Sequence, residues 1–509
     1  MQRNSIFKVT LCSVKISKIQ QSSQTNFIKK CVSTSAVLNC PKPVMPTGPV
    51  AKSFTQTPKL TYEELLNMKK DKINRSLQPY YKKPLVVSSA SMQWIFDLDK
   101  KRYLDFFGGI VTVSVGHCHP RLVKVLKDQA QTLWHTTAIY THPQIITYAE
   151  KLASKFPDPL SVVYFVNSGS EANDMAILLA RLASGNSDLL ALRNGYHGMS
   201  LGTMGLTAVP KWNYNVPNRH NIVHLGMRVD PYQGPYGGQN CRDSISQVLG
   251  RPCDCGQGQC KASELYVQEF QDTVSYMTSG KIAGFIAESI HGVGGAVQLP
   301  KGFVKGAFEL TRKHGGVCIS DEVQTGFGRL GTHFWGFESH DVVPDIVVMA
   351  KGIGNGVPLA AVVTTPTIAS NLTRALYFNT YGGNPLCCAV GEEVLNVIED
   401  ESLQQNADYL GTKLLLGLME LRDEFEIVGD VRGKGLMVGV EMVEEKESRK
   451  PLNSEKFLKI FEEMKDLGLL LGKGGPNGSV YRLKPPMCIT DADVDFALDV
   501  MRHVLTNNS

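Results

Sequence analysis

The chain has 509 residues, 43% hydrophobic and 20% charged, with a formal charge of +5. This suits a soluble globular protein of roughly two to four domains, and no run of about 18 apolar residues offers a membrane span. Nine of the 53 Lys and Arg residues fall within 1–62, which hold no acid; without them 44 bases face 48 acids, so the charge gives no case for nucleic-acid binding.

The acid-free N-terminus is rich in Ser and Thr and carries Arg3, Lys8, Lys15, Lys18, Lys29 and Lys30. That pattern fits a mitochondrial transit peptide, and hence a matrix protein, better than a plain disordered tail. Residues 41–60, with several prolines, read as a linker, so 1–60 is set aside as leader and linker.

Thr61 to Lys72 reads as a short amphipathic helix. Trp94 to Leu98 and Tyr103 to Phe107, joined by Asp99-Lys100-Lys101, read as a β-hairpin. His117, Cys118 and His119 are adjacent, which is poor ligand geometry, and Pro120 suits the first turn of a helix running through Leu126. A structural turn is the favoured reading there. Strands follow at 162–166, 189–192, 282–288, 316–321, 346–349 and 359–364, with helices at 171–183 and 302–314. Such alternation predicts an α/β fold, a mostly parallel sheet covered by helices. Residues 230–262, rich in Gly, Pro, Gln and Cys, read as an inserted surface loop. Twelve cysteines are too sparse for a disulfide scaffold. Cys241, Cys253, Cys255 and Cys260 allow a metal site, but with no paired Cys-x-x-Cys or nearby His a reduced insertion is preferred. After about 390 the texture changes to amphipathic helices and short strands, closing with Val494, Ala497, Leu498, Met501, Val504 and Leu505 on one helical face. That is a second, smaller domain.

Several strands end in a chemically pointed residue, where ligands of parallel sheets bind. After Val166 come Asn167-Ser168-Gly169-Ser170, small residues entering a helix whose free N–H groups suit a phosphate; they also suit a simple cap. Tyr196, between glycines, can lie flat on a ring or belong to a turn. Glu288 and Asp321 each end an apolar strand, where an unpaired carboxylate is costly; a protonated heterocyclic nitrogen is one good partner. Lys351 follows the run Ile346-Val347-Val348-Met349 and precedes Gly352, Gly354 and Gly356. A lysine at the mouth of a buried strand is partly desolvated, which favours its nucleophilic amine; by itself it also fits an ordinary loop. Together the set matches pyridoxal 5′-phosphate, which needs an amine for its aldehyde, an acid for its ring nitrogen and N–H donors for its phosphate. No P-loop or dinucleotide fingerprint competes.

These segments also carry a resemblance. Asn-Ser-Gly-Ser-Glu-Ala-Asn at 167–173, Ser-Asp-Glu-Val-Gln-Thr-Gly-Phe-Gly-Arg at 320–329, Ala-Lys-Gly-Ile at 350–353 and Asn-Thr-Tyr-Gly-Gly-Asn-Pro at 379–385 resemble the class III (ω-type) aminotransferases over roughly 65–505. Residues 105–120 and 133–137, with the cysteine-bearing insertion, resemble the family's mitochondrial alanine–glyoxylate branch. The resemblance implies a fold-type I pyridoxal-phosphate transferase, with a large cofactor domain at 116–389 and a small domain built from 61–115 and 390–509. It implies that Lys351 holds the cofactor and moves the substrate Cα proton, and that Asp321 meets the ring nitrogen. Gln324 would meet the ring hydroxyl, Gly169 and Ser170 the phosphate, and Tyr196 the ring face; Glu288 belongs to the same cofactor site. Thr380 would reach the phosphate of a neighbouring subunit, so a homodimer or homotetramer is expected. Arg432 is the candidate for the substrate carboxylate by forked pairing, with a structural role as the alternative. His291 stands where many members have Gln. Val293 stands where many ornithine-type members have Glu, which argues against a diamine pocket. The implied reaction moves an amino group from alanine or a β-amino acid such as β-aminoisobutyrate to glyoxylate or pyruvate. The alternatives are a phospho-lyase acting on an amino-alkyl phosphate and a non-catalytic relative.

Overall fold

The computed structural model describes residues 41–51, 60–137, 139–217, 220–256 and 260–509. The expected leader at 1–40 lies outside the described residues. The first helix, Tyr62–Lys72, starts where the sequence places it, because Thr61 and Glu64 form a reciprocal capping box. Three short strands follow as a meander: β1 (Val87–Ser91), β2 (Trp94–Asp97) and β3 (Arg102–Asp105). The helix opened by Pro120 runs on to Thr132, one and a half turns past its predicted end. Its approach is held by side-chain pairs: His117 Nε2 lies 2.8 Å from Asp105 Oδ2, and His119 Nε2 lies 3.1 Å from Glu401 Oε1.

The central sheet uses β4 (Val162–Val166), β5 (Leu189–Ala191), β6 (Ile222–His224) and β7 (Gly284–Glu288). A two-stranded ribbon, β8 (Ile290–His291) with β9 (Val297–Gln298), stands beside it. The sheet is completed by β10 (Val317–Asp321), β11 (Ile346–Met349) and β12 (Ala360–Thr364). Its order is β4-β12-β11-β10-β7-β5-β6. Every pairing is parallel except those of β12, which runs antiparallel to both β11 and β4. The reason lies in the link. A parallel return needs a crossover of about a dozen residues or more, whereas β11 and β12 are joined by a tight segment with a single 3₁₀ turn at Lys351–Ile353.

Both faces of the sheet are covered, which is why its interior strands read as unbroken apolar runs. Ile286, Ile319 and Val348 pack with Met175, Ala176 and Leu179 of the helix Gly169–Ser184. Phe285, Ala287 and Cys318 point the other way, onto Phe270 of the helix Lys261–Met277 and onto Phe308 of the helix Phe303–Lys313. Each of the larger buried side chains here (Ile, Val, Leu, Met, Phe) contributes about 1.5–3 kcal/mol. Alternate residues of one strand thus bind helices on opposite faces, and the register is fixed from both sides.

The C-terminal part carries β13 (Val428–Lys434), β14 (Met437–Met442), β15 (Leu469–Leu470), β16 (Gly472–Gly474) and β17 (Val480–Leu483). Four of these form an antiparallel sheet of order β13-β14-β17-β16, while β15 pairs in parallel with β3. The last helix, Asp491–Asn508, buries Val494, Ala497, Met501, Val504 and Leu505. The stretch read as an inserted surface loop is instead tied into this part. Arg242 is buried, and its two terminal nitrogens grip both oxygens of Asp430 on β13, at 2.9 and 2.6 Å. Cys241 and Cys260 are buried beside it. The Gly- and Pro-rich parts that suggested a surface are partly exposed, while Arg242 among them is buried in an ion pair. Among the described residues no group of His, Cys, Asp and Glu side chains is arranged to hold a metal, and no helix is long and apolar enough to cross a membrane.

Candidate active site

The register of the central sheet sets the site. Asp321 pairs with Glu288 on β7 and with Val348 on β11, so the two carboxylates end their strands side by side, and Lys351 follows three residues after Val348. A cavity of about 240 Å³ opens above these ends, and Glu288, Asp321, Gln324 and Lys351 line it. The N-terminus of the helix Gly169–Ser184 forms another wall, with Gly169, Ser170 and Asn173.

Lys351 has a φ of +52°, the left-handed region that non-glycine residues avoid at a cost of about 1–2 kcal/mol. Such strain persists where surrounding structure over-determines it, typically at a working site. Burial brings the Lys351 amine down to about 8, with Asp321 and Glu288 opposing that fall and Arg482 adding to it. About a tenth of the amine is therefore unprotonated at pH 7, far more than for an ordinary lysine.

Asp321 is fixed on three sides. Its Oδ2 lies 2.8 Å from His197 Nδ1 and accepts from Asn173 Nδ2 at 3.0 Å, while Oδ1 accepts from the Val323 N–H at 3.1 Å. His197 and Asn173 both line the cavity, and His197 Nε2 and Asn173 Oδ1 are buried without a partner. Neither residue was singled out from the sequence, although both sit inside segments that were. Glu288 faces inward: its oxygens accept from the Tyr196 N–H at 3.1 Å and the Gly292 N–H at 2.7 Å, and His291 Nδ1 lies 3.3 Å away. Burial raises its pKa, but the His291 hydrogen bond and the nearby histidine and N–H groups outweigh that and bring it to about 2. Tyr196 lines the cavity edge-on to Trp212, whose ring is 5.3 Å away.

At the helix entrance, Ser168 Oγ caps the Glu171 N–H, and the N–H groups of Gly169 and Ser170 have no intrahelical acceptor. Gly198 closes against them: a Cβ there would lie 2.6 Å from Ser170 Oγ. The chain can come this close only without a side chain.

Arg432 is not brought here. Its guanidinium is fully buried between Asp430 at 2.8 Å and Glu441 at 2.6 Å, and its Nε donates to the Gly295 carbonyl. The arginine that lines the cavity is Arg482, from β17, which donates to the Gly292 and Lys473 carbonyls and leaves its Nε unpartnered. The sequence reading missed it because nothing local distinguishes Arg482 from a strand arginine. Thr380 is exposed and does not line the cavity of its own chain.

Pyridoxal phosphate fits these residues. Its phosphate, aldehyde, ring nitrogen and hydroxyl have counterparts in the helix N-terminus with Ser170, the Lys351 amine, the anchored Asp321 and the Gln324 amide. Comparison with known proteins agrees. The family model Aminotransferase class-III matches residues 77–505. Human mitochondrial alanine–glyoxylate aminotransferase 2 is 52% identical over 450 residues, covering 88% of this chain and 87% of that one. Among solved structures, a Bacillus anthracis aminotransferase superposes with a TM-score of 0.77 at 30% identity, covering 87% of this chain and 98% of its own. An Arthrobacter phospholyase, in complex with phosphoethanolamine, superposes with a TM-score of 0.77 at 29% identity, covering 86% and 99%. With the family model spanning most of the chain and the site inside it, the chain belongs to the class-III aminotransferases, transaminases that depend on pyridoxal phosphate.

Proposed function

We propose that the protein moves an amino group from alanine, or from a β-amino acid such as β-aminoisobutyrate, to glyoxylate or pyruvate. The observation that carries this reading is one small cavity holding both a low-pKa lysine amine, Lys351, and a buried arginine, Arg482. An amino acid needs both: a guanidinium for its carboxylate and a base for its Cα proton. The likeness to alanine–glyoxylate aminotransferase 2 narrows the amino donor and acceptor. Bound pyridoxal phosphate supplies the electron sink. Lys351 anchors it and carries the proton. Asp321, immobilised by His197 and Asn173, meets the ring nitrogen. Gln324 meets the ring hydroxyl, Tyr196 the ring face, and Gly169 with Ser170 the phosphate. Glu288 belongs to the cofactor site by holding the Tyr196 backbone and the 291–292 turn. Arg482 takes the carboxylate role first considered for Arg432.

The active unit is a homodimer or homotetramer. Leu376, Phe378 and Tyr381 are exposed, as are Trp134, Ile139 and Tyr140, and the ring of His135 lies 5.5 Å from that of Tyr381. A contiguous apolar patch of this kind suits a subunit contact, and it would carry Thr380 toward a neighbour's phosphate. Residues 61–115 join 390–509 as the small domain around 116–389, a division supported by the β3–β15 pairing. The basic leader and the likeness to a relative named mitochondrial support a location in the mitochondrial matrix.

The test is the visible spectrum of the mature holoenzyme with L-alanine and no acceptor. Conversion of the bound cofactor to its amine form supports the proposal. An unchanged spectrum, with phosphate released from phosphoethanolamine, would transfer the assignment to the lyase reading that the likeness to the Arthrobacter phospholyase suggests.

A further inference from the structure

Behind the cavity wall, one residue past β17, lies a lysine that none of the roles above uses. Lys484 is wholly buried and does not line the cavity. Its Nζ donates to Gln324 Oε1 at 2.9 Å and to the Gly292 carbonyl at 3.2 Å. Its backbone is equally fixed: the Lys484 N–H donates to the Phe106 carbonyl at 2.7 Å, and Pro485 follows.

We propose that Lys484 is a positioning residue for the cofactor, setting which end of the Gln324 amide faces the cavity. The proposal rests on Gln324 meeting the ring hydroxyl. A side-chain amide has ends of like shape and opposite polarity, and only its partners decide which way it points. Two contacts decide it here. The amide lies flat against Gly292, where an added Cβ would sit 2.5 Å from its Cδ and Oε1 and 2.6 Å from its Nε2. It therefore has no room to move toward Gly292, but it can turn over in place. Lys484 opposes the turn: with the amide reversed, the Nζ–H bond to Oε1 is lost, and an ammonium at Nζ would have no lone pair to take the Gln324 NH₂ in its place. The oxygen is thus held at Lys484 and the NH₂ is left for the cavity side.

Packing alone does not account for a lysine at this place. A buried amine is costly without compensation, and here the charged surroundings are mostly of its own sign. Burial first, then Arg482, Lys351 and Arg329, hold it well below the usual lysine range, with Glu288 opposing them. A methionine would fill the same volume without that cost. What it would lose is the donor to Gln324.

The test uses the holoenzyme and reads the pH titration of its visible cofactor band. An N–H aimed at the ring oxygen favours that oxygen's deprotonated form. Lys484→Met releases the amide, and the midpoint should rise by about one unit, the worth of one hydrogen bond, with pyridoxal-phosphate affinity falling about tenfold. Gln324→Ala should move the midpoint equally, and the double variant no further. Lys484→Gln keeps a donor for Gln324 and should retain the wild-type midpoint, which also serves should Lys484→Met fail to fold. An unmoved midpoint in Lys484→Met overturns the proposal, as do Met and Ala effects that simply add, or a Lys484→Gln midpoint displaced as far as that of Gln324→Ala. If Gln324→Ala itself leaves the midpoint in place, the hydroxyl role of Gln324 fails and the proposal falls with it.

Discussion

The Lys351 amine is shaped by its surroundings more than by its neighbours in sequence. Burial lowers its pKa to about 8, against opposition from Asp321 and Glu288. Competitive labelling of the cofactor-free protein with acetic anhydride should show Lys351 becoming reactive with a midpoint near pH 8, while solvent lysines follow at about 10.4. A Lys351 midpoint at the solvent value would contradict the buried environment. The two arginines divide by the same reasoning. Arg482→Lys should raise the KM for the amino acid by about tenfold to a hundredfold through loss of forked pairing, with little change in unfolding midpoint. Arg432→Met should do the reverse. It strands Glu441 in the interior and leaves Asp430 to Arg242 alone, at a cost of about 3–5 kcal/mol, read by denaturant unfolding. If Arg432→Met were stable and selectively raised KM, the carboxylate role would return to it.

At the scale of elements, the segment 230–262 acts as a clasp. Arg228, Arg242 and Arg432 are matched by Asp230, Asp430 and Glu441 in one buried network. Burial raises the pKa of Asp230, but Arg228, Arg432 and Arg242 bring it down to about 2. Its folded value lies below the ordinary 3.8, so its contribution is present above about pH 4 and is lost as pH falls toward 2. Arg242→Met should cost about 3–5 kcal/mol of stability, measured by urea unfolding at neutral pH. A neutral outcome would mean that the segment is only draped over β13. The other element of consequence is β12. By running antiparallel it inserts between β4 and β11, which brings the helix after β4, with its open N-terminus, over the end of the sheet that carries Lys351.

For the whole molecule, the exposed apolar segment 376–381 predicts assembly. Phe378→Asp should shift the protein toward monomer in sedimentation velocity and weaken cofactor retention, since Thr380 would no longer reach a second cavity. Monomeric wild-type protein that retains full activity would remove both the oligomer and the Thr380 role.

The sequence by itself determined six of the seven strands of the central sheet and, to within a residue, their carboxyl ends; the edge strand β6 was missed. Interior strands of a doubly covered sheet are apolar on both faces, so the first charged residue marks the carboxyl end, as at Glu288 and Asp321, with Lys351 two residues past the end of β11. That was enough to list the cofactor's partners by chemical type and, with the four family segments, to name the family. Only the tertiary structure decided which partners stand behind them. His197 and Asn173 meet Asp321 across 124 and 148 positions, and Lys484 meets Gln324 across 160. Arg482, not Arg432, reaches the cavity, and within 230–262 Arg242, Cys241 and Cys260 are buried rather than displayed. These outcomes depend on how distant strands register and on which buried charge finds which counter-charge. Both are properties of long-range packing that local spacing does not encode.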